Sequence, residues 1–359
     1  MMKTRQLGKT AKHNLITYAI VVIGFIVVQL LSSAGMISNS LSGQLVPICC
    51  YIIMAVSLNL TVGILGELSL GHAGFMSVGA FSSAFFSVCM QETITEPWLR
   101  LTLAIIIGAV AAGVAGLLVG IPVLRLQGDY LAIVTLAFGE IIKNVLNSLY
   151  IGVDGAGMHF STKDSLSLNL AQGGRVIING AQGITGTSKD STFLMGFILI
   201  MITLFVVLNF IKSRSGRAVM SIRDNRIAAE SVGINVTKYK LIAFSISAAL
   251  AGAAGALYAH NYATIVAKKF DYNTSILVLV FVVVGGMGNI RGSIIAAAAL
   301  TILPEVLRGM NDYRMLIYAI VLIVMMIFNQ SPQMVEMRQR FTAKLPWKKA
   351  AKADAKGGK

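Results

Sequence analysis

Charged and hydrogen-bonding side chains are scarce in this chain, and a few stretches gather those that could do chemistry. In GDYLAIVTLAFGEIIKNVLNS (128–148), Glu140 and Lys143 stand three apart, so on a helix they share a side and can pair. Pairing offsets part of the cost of each charge at membrane depth. The same two groups could instead contact the charged ends of a zwitterionic solute. In SLGHAGFMSVGAFSSA (69–84), Ser69, His72 and Ser77 sit among Gly71, Gly74 and Gly79, just after Gly66 and Glu67. Glycine costs a helix stability unless it permits close packing or a break. Polar groups at membrane depth face a cavity or the protein interior. Two readings follow: a broken helix lining a solute path, or a small-residue packing seam with a loop at its start. GGMGNIRGSI (285–294) is a second glycine-rich break, and Gly285, Gly286 and Gly288 join Ser69, Gly71, His72, Gly74 and Ser77 as candidate solute-path residues.

RDNRIAAESVGI (223–234) is different, a polar stretch between apolar runs. Asp224 or Asn225 can cap a helix start. Ile227 to Glu230 suit a helix, and Gly233 suits the left-handed stop beyond its end. A short helix with Ala228, Ala229 and Val232 on one shallow apolar side would fit a groove on a partner protein. It could also lie on lipid headgroups.

No sequence set supports catalysis. There is no GxxxxGK[ST] phosphate loop and no HExxH or GxSxG set. His13, His72, His159 and His260 are scattered. Cys49 and Cys50 are adjacent and Cys89 is remote, which gives neither a disulfide framework nor a metal set. No metal, cofactor or enzymatic activity is expected.

These residues need elements to hold them. The chain has 359 residues, 56% hydrophobic and 13% charged, against about 25% charged in soluble domains. That balance selects a polytopic membrane protein. Apolar windows place helices near 15–34, 45–62, 73–90, 101–123, 129–150, 192–211, 241–262, 273–288, 293–308 and 314–329. The first window is long enough to span and is expected to be a membrane helix, not a cleaved signal. Irregular backbone cannot face lipid, so the expected fold is all-α: about ten transmembrane helices, some glycine-broken, with both termini cytoplasmic.

Charge placement agrees with that orientation. With the N-terminus inside, inner segments hold 21 basic residues and outer segments 8, the positive-inside pattern. The net charge of +15 resides mainly in basic ends flanking apolar spans, which argues against nucleic-acid binding. The expected organisation is a basic N-terminus (1–14), a transmembrane domain (15–329) and a basic tail (330–359). The transmembrane domain carries an outer loop (151–191) and an inner loop (212–240). Neither loop is long enough to bury a core of its own.

AAESVGI, with its glycine three residues after the glutamate, resembles the EAA loop of ABC importer permeases. The wider stretch RSGRAVMSIRDNRIAAESVGINVTKYKLIAFSISAALAGAAGALYA is similar to permeases of branched-chain amino acid (LIV-type) importers, of the M-type. SLNLTVGILGELSLGHAGFMSVGA, LRLQGDYLAIVTLAFGEI and GGMGNIRGS match in order along 57–293. The outer loop departs from the pattern, with NGAQGI at 179–184 where the family commonly has GGPNGI.

The resemblance implies a subunit of a bacterial cell-membrane importer. It would pair with a second permease, two ATPase subunits and an extracellular solute-binding protein. Ala229, Glu230 and Gly233, flanked by Arg223 and Asp224, would form the coupling helix that meets the ATPase. Lys163, Arg175 and Lys189 would be available to the binding protein. Other ABC solutes, such as urea or amides, sugars and nucleosides, are the nearest alternatives. An ion-coupled secondary transporter is a further one, with Glu67, His72 and Glu140 as its proton groups.

Overall fold

A computed structural model describes residues 9–36, 38–126, 128–155, 157–171, 173–308 and 313–330. Of the expected basic N-terminus (1–14) and tail (330–359), residues 1–8 and 331–359 lie outside the described residues. The helices are α1 (Lys9–Ser33), α2 (Asn39–Asn59), α3 (His72–Cys89), α4 (Pro97–Val123), α5 (Asp129–Asn147), α6 (Phe193–Lys212), α7 (Arg214–Asp224) and α8 (Arg226–Ser231). They continue with α9 (Val236–Ala259), α10 (Tyr272–Gly285), α11 (Ile290–Val306) and α12 (Arg314–Gln330). Five strands accompany them: β1 (Tyr150–Asp154), β2 (Gly157–Ser161), β3 (Arg175–Asn179), β4 (Ile184–Thr185) and β5 (Thr264–Ile265).

Local chemistry sets several boundaries. The Thr192 side chain accepts the Met195 N–H at the start of α6, and Asn235 accepts that of Lys238 at the start of α9. Asp271 does the same for Thr274 at the start of α10. Each cap satisfies an N–H that the first turn leaves without a partner. Pro97 opens α4, where its missing N–H costs nothing.

Among the described residues, six helical stretches are long and apolar enough to cross a membrane: Asn14–Ser33, Asn39–Leu65, His72–Cys89, Pro97–Val123, Phe193–Lys212 and Val236–Ala259. The other expected spans correspond to α5, which carries Asp129, Glu140 and Lys143, and to the shorter α10, α11 and α12.

The expectation of an all-α chain is corrected in the segment 151–191. Much of it folds as strands of an antiparallel sheet, ordered β2-β1-β3-β4-β5. The β-branched run RVIIN suits a strand, and the glycines around it suit turns. Ile151, Ile177, Ile178, Ile184 and Ile265 are buried, so this loop has a small apolar centre. The segment 212–240 likewise holds two helices, α7 and α8, where one was expected.

The described residues up to Ile302 form one compact unit, and those from Leu303 onward form another. In the first, α2 is the most enclosed of the membrane-length helices and α1 the least. α3, α4 and α9 meet through small residues. A Cβ on Gly252 would lie 2.3 Å from the Ala112 Cβ, and one on Gly79 would lie 2.2 Å from the Gly252 carbonyl oxygen. Such contacts let helix backbones approach closely where lipid supplies no hydrophobic drive. Outward, α4 exposes Ile106, Val110, Val114, Leu117 and Ile121 at helical spacing, a face suited to lipid. In the second unit, Arg308 pairs with Glu305 at 3.1 Å, and α12 exposes Leu316, Ile320, Ile323 and Ile327.

Candidate functional site

α2 does not end in an ordinary way. It continues as a π-helical turn, Leu60–Leu65, and stops at Gly66, whose φ is +79°. Residues 66–71 then run without helix before α3 starts at His72. π-Helical turns are rare and concentrate at functional sites. The first expected break is therefore a break in the structure.

The break is heavily hydrogen-bonded. His72 Nε2 lies 2.8 Å from Ser57 Oγ, and that hydroxyl also donates to the Met54 carbonyl. Ser57 Oγ has one proton, so it accepts from an Nε2–H tautomer of His72. Ser247 on α9 donates to the Ser57 carbonyl at 2.6 Å. The Leu70 N–H donates to Thr135 on α5, and the Ala73 N–H donates to Ser275 on α10. His72, Ser69 and Ser77 are all buried. Ser77 donates to the Gly74 carbonyl, whereas the Ser69 hydroxyl has no protein partner. Gly71 and Gly74 face Thr135 and Gly139 so closely that a Cβ on either would collide with α5 backbone. As placed, His72 faces protein.

The second break lies against the first. Gly286 and Gly288 have φ of +90° and +79° and turn the chain between α10 and α11. The Gly288 N–H donates to Asn59 Oδ1 at 2.8 Å, and Asn59 Nδ2 donates to Ser293 Oγ at 2.8 Å. Asn59 is fully buried and stands at the last turn of α2. A Cβ on Gly63 would lie 2.2 Å from the Gly288 nitrogen, and one on Gly285 would lie 2.4 Å from the Ser293 nitrogen. Gly285 and Gly288 thus make a backbone seam. Asn59 was missed from sequence because a lone amide in an apolar run shows no partner until the fold supplies Gly288 and Ser293.

α5 carries the Glu140–Lys143 ion pair, and Glu140 Oε1 also accepts the Tyr272 N–H at 3.2 Å. A crevice too narrow to admit a water molecule lies between α3, α5 and α10, lined by Leu70, Gly74, Leu136, Glu140, Asp271 and Ser275. It joins apolar walls to charged groups. Glu67 pairs with Lys240 of α9, and both side chains are largely buried.

α8 is capped by Asn225, whose Oδ1 accepts the Ala228 N–H at 3.0 Å, so of the two possible caps Asn225 is used. At the other end the Ile234 N–H reaches the Ala229 carbonyl across Gly233, whose φ is +84°. This is a Schellman stop. Of the expected apolar face, Ala228 and Val232 are exposed, and Ala229 is corrected. Ala229 points inward onto Ile222 and Val236, while Ile227 and Val232 are 80% and 74% exposed. Glu230 pairs with Arg226 on the exposed side. Arg223 turns away from that face: its Nη1 donates to the Gly63 carbonyl at 3.1 Å, and Asp224 accepts from Nε and Nη2.

In the 151–191 loop, Lys163, Arg175 and Lys189 are exposed. A buried Arg100–Asp190 ion pair, 2.6 Å long and not foreseen from sequence, ties the loop's end to the start of α4. Its partners are 90 residues apart. Among the described residues, no cluster of three His, Cys, Asp or Glu is placed to hold a metal.

The permease component of branched-chain amino acid transport systems is a described family, and its pattern matches residues 40–328. The chain belongs to this permease family. It is 35% identical to the high-affinity branched-chain amino acid transport permease LivM of Salmonella typhimurium, over 89% of this chain and 75% of that protein. It is 34% identical to LivM of Escherichia coli over the same shares. It is 26% identical to LivH of Salmonella typhimurium, over 70% of this chain and 79% of LivH. A nucleoside permease, NupC of Lactococcus lactis, is 26% identical over 54% of this chain and 59% of its own length. No solved structure matches. The membership makes the chain a multi-pass membrane permease.

Proposed function

We propose that this permease is the membrane subunit of an ATP-driven importer of branched-chain or related amino acids. Its partners would be a second permease of the LivH kind, two ATPase subunits and a solute-binding protein on the outer side. All ten expected helices would span the cell membrane, with both termini and the 212–240 segment in the cytoplasm. The similarity to LivM along 89% of the chain carries the amino-acid reading. The nucleoside relative spans 54% of it.

α8 would be where the energy enters. α8 is stopped at both ends and presents Ile227 and Val232. An apolar helix face of this kind seats in a groove of a partner. Closure of the ATPases on ATP would displace α8 and favour one of two arrangements of the helices. The chain would hydrolyse no ATP itself. The solute would pass by the glycine breaks and the crevice beside Glu140 and Lys143. The exposed Lys163, Arg175 and Lys189 would meet the binding protein.

Co-purification tests the assembly. The native chain is expected to retain the ATPase subunits. Ile227→Glu, which places a charge on the docking face, is expected to lose them while still inserting. Retention of both ATPases by that variant would overturn the docking role of α8.

A further inference from the structure

We infer that Arg223 is a positioning residue that fastens the coupling segment to the Gly63–Gly288 seam. Displacement of α8 would then reach α2, α10 and α11 through this fastening. The inference rests on the proposed docking of α8 on the ATPases, and adds where the motion goes next.

Arg223 is built into the end of the π-helical turn. Terminal helix carbonyls lack a donor within their helix, and Arg223 supplies one to Gly63. The bond is charge-assisted, and Asp224 orients the guanidinium by accepting its other N–H groups. The stem lies over Gly66, where a Cβ would be 2.6 Å from Arg223 Cγ. The space for this side chain therefore exists because residue 66 has none. On its other side, Gly63 rests on Gly288 and Asn59, and Asn59 bonds both Gly288 and Ser293. A continuous set of contacts thus runs from α7 to α11.

The segment is also stiff enough to carry a displacement. Val219 of α7 packs with Leu60, Ile64 and Leu65 of the π-turn and with Phe210 and Ala243. Ala229 of α8 packs on Ile222 of α7 and Val236 of α9. A π-turn can relax to α-helix by a one-residue change of register, so it is a discrete element rather than a spring. Apolar packing alone would resist compression but give little against pulling. The Arg223 bond supplies the directional tie.

The test uses the whole importer in proteoliposomes, with labelled leucine uptake and binding-protein-stimulated ATP hydrolysis read together. Arg223→Met keeps the stem over Gly66 and removes the donors. It is expected to keep the ATPases bound and hydrolysis within about twofold, while uptake per ATP falls roughly tenfold. Arg223→Lys, which keeps one charged donor, is expected to recover uptake per ATP to within about threefold of the native chain. Unchanged uptake per ATP in Arg223→Met would overturn the inference, as would a proportional fall of hydrolysis and uptake. If Arg223→Met does not accumulate, Arg223→Lys decides: its uptake per ATP must lie below the native value but well above zero. Loss of the ATPases from Ile227→Glu, with native behaviour of Arg223→Met, would sink this inference and leave the docking role standing.

Discussion

At the residue scale, several buried polar groups have partners fixed by backbone geometry. Glu67 and Lys240 are the clearest pair, with side chains 13% and 5% exposed. Removing one partner leaves a buried charge without its counter-ion, which costs on the order of 3–5 kcal/mol. Glu67→Gln is therefore expected to lower the unfolding temperature of the purified chain well below that of the native protein. The double variant Glu67→Gln/Lys240→Met is expected to recover most of the loss. Thermal unfolding in detergent checks both; equal destabilisation in the double variant would show that the pair is not the cause. Gly233 offers a second test. Its φ of +84° is closed to proline, and its N–H donates to the Glu230 carbonyl. Gly233→Pro is expected to leave the chain inserted but to cut ATP-linked uptake by about tenfold or more. Glu230→Lys reverses one half of the Arg226–Glu230 pair and is expected to weaken uptake too, which the same assay reads.

At the element scale, the close approach of α3, α4 and α9 makes its own prediction. A leucine at Gly252 would drive side-chain atoms into the Ala112 Cβ and the Gly108 carbonyl. Gly252→Leu is expected to separate α4 from α9 and abolish recovery of folded chain, whereas Gly24→Leu in α1, where no atom lies within 4 Å and the backbone is helical, is expected to change packing little. Fluorescence size-exclusion profiles distinguish the two. The elements were largely legible in the sequence, since long apolar runs mark their own helices to within a few residues. The break at Gly66, the cap at Asn225 and the stop at Gly233 follow from local chemistry, whereas the Asn235 cap that starts α9 earlier than the apolar run suggests was not read from it. What was not legible depends on distant partners: the sheet of the 151–191 loop, the bond from Arg223 to Gly63, and the Asn59 clamp on Gly288. The inward turn of Ala229 belongs here as well, since the apolar face of a short helix is chosen by what lies beneath it.

At the scale of the whole molecule, this permease is expected to move its solute only when partner ATPases drive it through α8. Labelled leucine uptake into proteoliposomes checks this, with the chain, its partner permease, both ATPases and the binding protein present or singly omitted. The expected result is uptake that requires ATP inside the ATPase-bearing compartment and vanishes when any partner is left out. Uptake by this chain alone, following an ion gradient and indifferent to ATP, would contradict the account.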